Sequence, residues 1–203
     1  DIQQLYRHVI DNLASKIDLL TTIGTDDFVY NSLKYYGEPN RVDIANARFI
    51  LHLAAEPDQG EIKTLNADEA ICYFKAQAQA WQLNCKIEKS AKVVAKAMVN
   101  NEKALLLINK DASFTEKELN AFAYHELGIH MLTTINAKKH PLKVFSLGLP
   151  GNTHTQEGLA LYSEYCSGSL TIDRLKIIAL RVIAVQYMLE HGDFVKTYHA
   201  LIN

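Results

Sequence analysis

The segment His125–His130 constrains this chain most, because it places two imidazoles and a carboxylate in an otherwise apolar helical stretch. Its spacing is one residue longer than that of HExxH, the motif in which two histidines on one helical face bind zinc and the glutamate is a general base. Side chains five residues apart on an ordinary α-helix point about 140° away from each other. We therefore predict a π-bulge, which inserts one residue and occurs preferentially at functional sites. Gly128 would make this distortion less costly.

Glu157 is a candidate third ligand for a metal ion held by these histidines. Zinc in catalytic sites commonly takes three protein ligands, with His₂Glu among the known sets, and keeps a fourth position open. Glu164 follows Glu157 by two helical turns on the same face, where it would orient a ligating histidine by accepting its free N–H. On spacing alone, two unrelated histidines on a core helix remain the alternative.

Two further side chains are candidates for binding a substrate. Tyr162, near the motifs together with Tyr124 and Tyr165, is a candidate donor to the oxyanion of a tetrahedral intermediate, with packing as the alternative. Arg181 lies in the apolar stretch 177–184, and a charge among hydrophobic residues needs a partner. A bidentate arginine suits the terminal carboxylate of a peptide, and a structural salt bridge is the alternative.

Composition limits the partners and the cellular compartment that we expect for this chain. The 203 residues carry 21 basic and 23 acidic side chains, a net charge of −2, so no overall field favours nucleic acid or an anionic membrane surface. No apolar run of about 18 residues predicts a membrane span. The three cysteines are widely and irregularly spaced, which favours free thiols and a cytoplasmic setting. Because the chain begins with Asp1, we expect it to be part of something longer.

The chain divides by pattern into a helical part, residues 1–83, and a mixed part, residues 84–203. Residues 41–55 fit either helix or mixed structure, and Pro57–Gly60 predicts a turn. We predict an α+β fold in one domain, mostly helical, with a small antiparallel sheet before the metal-binding helix. Its three strands are predicted over residues 85–89, 92–99 and 104–108, with a hairpin turn at Asn100–Lys103.

Capping signals mark where the helices around the motif begin. Thr115 and Glu118 have the spacing of a capping box, which predicts the start of the motif helix. A second helix is predicted from Thr153 to Gly168, and two apolar helices follow it to the end of the chain.

Three stretches together resemble a known family: HELGIH at 125–130, GLPG at 148–151 and TQEGLA at 155–160. They resemble the HExxxH and QEGLA signatures of zinc peptidase-like proteins, called flavohemoglobin expression-modulating QEGLA motif proteins in bacteria. The group includes the eukaryotic microtubule-associated tyrosine carboxypeptidases. The resemblance is good over about residues 85 to 200 and only general in the amino-terminal helices.

The resemblance implies a gluzincin-like zinc peptidase with one Zn²⁺ per chain. His125, His130 and Glu157 would be the metal ligands, and Glu126 would be the base that activates the attacking water. The substrate would be a peptide or a protein C-terminus. Members of the group extend beyond the point that corresponds to Asn203, so we expect part of the substrate cleft to be missing.

These observations lead to three hypotheses of function. The first is a zinc-dependent metallopeptidase, either a carboxypeptidase or an endopeptidase, with no nucleic-acid or membrane partner. The second is a catalytically silent, zinc-containing regulatory or binding protein, against which the intact Glu126 counts because metal binding alone does not need it. The third is a helical binding domain without metal. Zinc content and the effect of Glu126→Gln separate them.

Overall fold

The computed structural model describes residues 1–54 and 63–202, so the predicted turn at Pro57–Gly60 lies outside the described residues. The described chain is mostly helical, with two small sheets. The helices are, in chain order, α1 (Ile2–Thr21), α2 (Phe28–Tyr36), α3 (Arg41–Leu51), α4 (Ala67–Ala80), α5 (Glu116–Phe122), α6 (Leu132–Lys139), α7 (Asn152–Cys166), α8 (Ile172–His191) and α9 (Phe194–Ile202). A π-helix (Ala123–Met131) joins α5 to α6, and a 3₁₀-helix (Lys143–Leu147) follows α6.

Side-chain caps explain where three of these helices begin. Asn40 and Asn66 each accept hydrogen bonds from two backbone N–H groups in the first turn of α3 and α4, and each forms a capping box with an acidic residue. The cap of Asn40 begins α3, so residues 41–51 of the stretch that the sequence left undecided are helical. The capping box of Thr115 with Glu118 is confirmed at the start of α5.

The three-stranded sheet is mixed, so the prediction of an antiparallel sheet is wrong. Its strands and those of a two-stranded sheet are β1 (Thr64–Leu65), β2 (Lys86–Ser90), β3 (Ala97–Asn100), β4 (Leu105–Asn109) and β5 (Phe114–Thr115). The predicted hairpin between β3 and β4 is confirmed, but β2 pairs with the other edge of β4 in parallel, in the order β2-β4-β3. The most apolar strand, β4, thereby takes the centre, with Leu105, Leu106 and Ile108 buried.

The described residues form two compact units, each with its own core. The first contains residues 1–9 and 63–170, and its core includes the fully buried Phe74, Leu106, Phe114 and Leu127. The second contains residues 10–54 and 171–202, where α3 packs against α8 around a small core at Ala47, Ala179 and Ile183. In neither described range is a helix long and apolar enough to cross a membrane.

Candidate metal centre

The π-helix brings the two motif histidines onto one face. The i→i+5 hydrogen bonds of a π-helix align residues five apart, and the rings of His125 and His130 lie 4.9 Å apart between centroids. The predicted local widening is confirmed, and the π-helical segment is nine residues long. Leu127 and Met131 are fully buried in the core of the first unit, so packing holds this segment in place.

Gly128 does not adopt a conformation that only glycine favours. Its φ is outside the left-handed region. A β-carbon added there would lie 3.8 Å from the carbonyl oxygen of Ala123 and 3.8 Å from the Trp81 ring, which is ordinary van der Waals contact. The π-helix therefore does not depend on glycine for space or for backbone geometry.

Helix α7 packs against the π-helix and carries the third candidate ligand to the histidines. The carboxylate of Glu157 lies 3.7 Å from Nε2 of His125 and 3.5 Å from Nε2 of His130. One ligand atom from each of the three residues lies within 4.8 Å of the others. Tetrahedral zinc with bonds of about 2.0–2.2 Å would hold such atoms about 3.4 Å apart, so this donor set fits zinc with a small adjustment.

Both histidines use their other ring nitrogen for a hydrogen bond to α7. Nδ1 of His125 lies 2.6 Å from a carboxylate oxygen of Glu164, which is fully buried. Nδ1 of His130 lies 3.1 Å from the side-chain oxygen of Gln156. A carboxylate oxygen and an amide oxygen are acceptors, so both contacts suit a histidine that donates from Nδ1, and each Nε2 lies on the side of Glu157.

The contact of Gln156 was not among the sequence predictions. An amide side chain carries no charge or motif role that assigns it to a histidine. Its position next to Glu157 in the QEGLA stretch was the only available signal.

Glu126, the candidate base, is buried beside this cluster. Burial raises the pKa of its carboxyl group, while His125 and His130 oppose the increase and Glu157 adds to it. A hydrogen bond from the backbone N–H of Val99 favours the charged form. The carboxylate is thus oriented by an edge strand, β3, of the sheet.

Solvent reaches the cluster from the side of Glu157. Its side chain is 54% exposed, compared with 8% for His125 and 15% for His130. A β-carbon added to Gly158 would meet nothing within 4 Å, so no neighbouring helix packs closely against this residue. The cluster is therefore open to solvent on this side.

The two candidate substrate-binding residues are exposed side chains on two different helices. Tyr162 is exposed on α7, about 140° around the helix from Glu157, and a hydrogen bond with Cys166 raises its pKa. Arg181 is exposed on α8 in the second unit, so water can solvate its charge and the residue does not need a buried partner. Their roles in substrate binding stay predictions. Tyr124 packs against Trp81, with ring centroids 5.1 Å apart.

Comparison with known proteins places the chain in a family. No curated protein and no solved structure matches it. The family model described as microtubule-associated tyrosine carboxypeptidase matches residues 1–203. The chain therefore belongs to the microtubule-associated tyrosine carboxypeptidase family.

Proposed function

We propose that this protein is a zinc-dependent metallopeptidase with a gluzincin-like fold that removes residues from the C-terminus of a peptide or protein. The observation that carries the proposal is the buried carboxylate of Glu126 next to the cluster of His125, His130 and Glu157. A site that only held a metal ion would not need this fourth group.

The donor set suits zinc because it combines two neutral imidazole nitrogens with one carboxylate, the His₂Glu set of known catalytic sites. When bound, zinc supplies a Lewis acid that polarises the scissile carbonyl and makes water more acidic. The exposed side of Glu157 leaves room for a substrate, as a catalytic site requires.

Glu126 performs the proton transfers in this proposal. Its carboxylate accepts a proton from the attacking water as the new C–O bond forms, and it delivers that proton to the leaving amine as the C–N bond breaks. Burial raises the pKa of Glu126, which makes the carboxylate a stronger base. The Val99 N–H holds the carboxylate in one orientation during both transfers.

The proposal is tested with zinc-loaded protein and peptides that differ in their last residue, each also prepared with an amidated C-terminus. Mass spectrometry should show loss of the C-terminal residue from the free acids and no cleavage of the amides. Glu126→Gln should lower the rate by about 10²–10⁴-fold while the protein still binds one zinc ion.

Equal cleavage by the wild type and Glu126→Gln would overturn the mechanism. Cleavage of the amidated peptides would indicate an endopeptidase instead of a carboxypeptidase. Zinc binding without any hydrolysis would support the catalytically silent alternative.

A further inference from the structure

Gln156 contacts His130, one of the candidate ligands, and has no part in the mechanism above. Its side-chain oxygen lies 3.1 Å from Nδ1 of His130, whose Nε2 faces Glu157 at 3.5 Å. The side chain is half-buried on α7, immediately before Glu157. One helix therefore carries both a candidate ligand and the group that orients another.

We infer that Gln156 is a positioning residue that fixes His130 in the Nδ1–H tautomer before metal binds. A neutral imidazole carries its proton on one nitrogen, and only the other nitrogen has a lone pair for a metal ion. By accepting a hydrogen bond from Nδ1–H, Gln156 directs the Nε2 lone pair of His130 toward Glu157. This inference rests on the proposed metal centre.

The two histidines differ in the charge of the group that orients them. His125 donates to the carboxylate of Glu164, whereas His130 donates to a neutral amide. Glu126, Glu157 and Glu164 already place three carboxylates beside the two histidines. A fourth carboxylate at position 156 would add to the repulsion among them in the absence of metal, whereas an amide provides the same acceptor without charge.

The test compares Gln156→Met, which keeps the shape of the side chain but removes the acceptor oxygen, with Gln156→Glu, which keeps an acceptor. Zinc Kd is measured by competition with a chromophoric chelator. We expect Gln156→Met to raise Kd by about 10–100-fold, the usual effect of losing the hydrogen-bond partner of a ligating histidine. Gln156→Glu should bind zinc at least as tightly as the wild type. Gln79→Met, the same change at an exposed position on α4, should leave Kd unchanged.

A second readout examines the metal-free protein directly. Nitrogen-15 spectra of the ring nitrogens at pH about 8, where histidine is ordinarily neutral, report the tautomer of each histidine. The His130 signals, assigned with His130→Gln, should show Nδ1–H in the wild type and a mixture of tautomers in Gln156→Met. Gln156→Ala replaces Gln156→Met in both measurements if the methionine variant does not fold.

The outcomes separate this inference from the proposed function. A wild-type protein that binds no zinc would overturn both. If the wild type binds zinc and Gln156→Met binds it equally well, the positioning role alone is wrong. It is also wrong if Gln156→Glu binds zinc as weakly as Gln156→Met, or if the His130 tautomer does not change.

Discussion

Glu157 differs from the two histidines of the candidate centre in its exposure to solvent. The histidines are enclosed by the core of the first unit, whereas more than half of the Glu157 side chain is exposed. Exposed side chains away from special backbone features change the free energy of unfolding by about 0.5 kcal/mol or less when replaced. The binding role and the structural role of Glu157 can therefore be separated by experiment.

Glu157→Ala should abolish tight zinc binding and leave the metal-free protein folded. Loss of the hydrogen-bond partner of a metal ligand raises the metal Kd by about 10–100-fold. We expect a larger rise in the zinc Kd here, because a ligand itself is lost. The free energy of unfolding without metal, from urea denaturation, should change by about 0.5 kcal/mol or less. Glu88→Ala, at an exposed position on β2, is the matched control and should leave Kd unchanged. Unchanged zinc affinity in Glu157→Ala would remove this residue from the site.

Residue types and spacing could suggest His125, His130 and Glu157 because metal chemistry restricts which side chains serve as ligands. The contact of Gln156 with His130 could not be predicted in this way. Its contact depends on how α7 lies against the π-helix, which is set by the packing of both elements. The exposure of Arg181 could not be predicted either, because its apolar neighbours in sequence do not bury it in the fold.

At the scale of elements, the i to i+5 spacing of the histidines was sufficient to predict a widened helix. The nine-residue length of the π-helix could not be predicted, because the spacing of two histidines does not show how the core packs around residues such as Leu127 and Met131, which are fully buried there. Strand pairing was the weakest part of the prediction. Strands adjacent in sequence usually pair, but the segment 91–96 carries the chain past β4, so that β4 enters between β2 and β3.

Gly128→Ala should stabilise the metal-free protein by about 0.5–1 kcal/mol. Alanine restricts the unfolded chain more than glycine does, and the added β-carbon makes only ordinary contacts at 3.8 Å. Urea denaturation measures the change. Gly158→Ala on α7, where the added carbon meets nothing within 4 Å, should give a similar gain and is the control. A loss of stability confined to Gly128→Ala would show that the π-helix needs glycine after all.

At the scale of the molecule, all candidate metal ligands belong to the first compact unit, but they come from two elements. His125 and His130 are on the π-helix, and Glu157 is on α7. Residues separated by this much sequence are held together only in the folded chain. A metal ion bound by all three must therefore stabilise the folded state relative to the unfolded one. The sequence did not indicate the two separate cores, because hydrophobic patterns do not reveal which helices share a core.

Zinc should accordingly raise the Tm of the protein, and chelation should lower it again. At a free zinc concentration about 1,000 times Kd, the stabilisation is about 4 kcal/mol, which corresponds to about 8–16 °C for a chain of this size. Thermal unfolding followed by circular dichroism measures the shift. Trp81, the only tryptophan in the sequence, lies close to Gly128, a residue between the two histidines in sequence, so its fluorescence should follow the same zinc titration. Glu157→Ala should show neither effect. An equal rise in Tm in that variant would mean that zinc binds elsewhere on the chain.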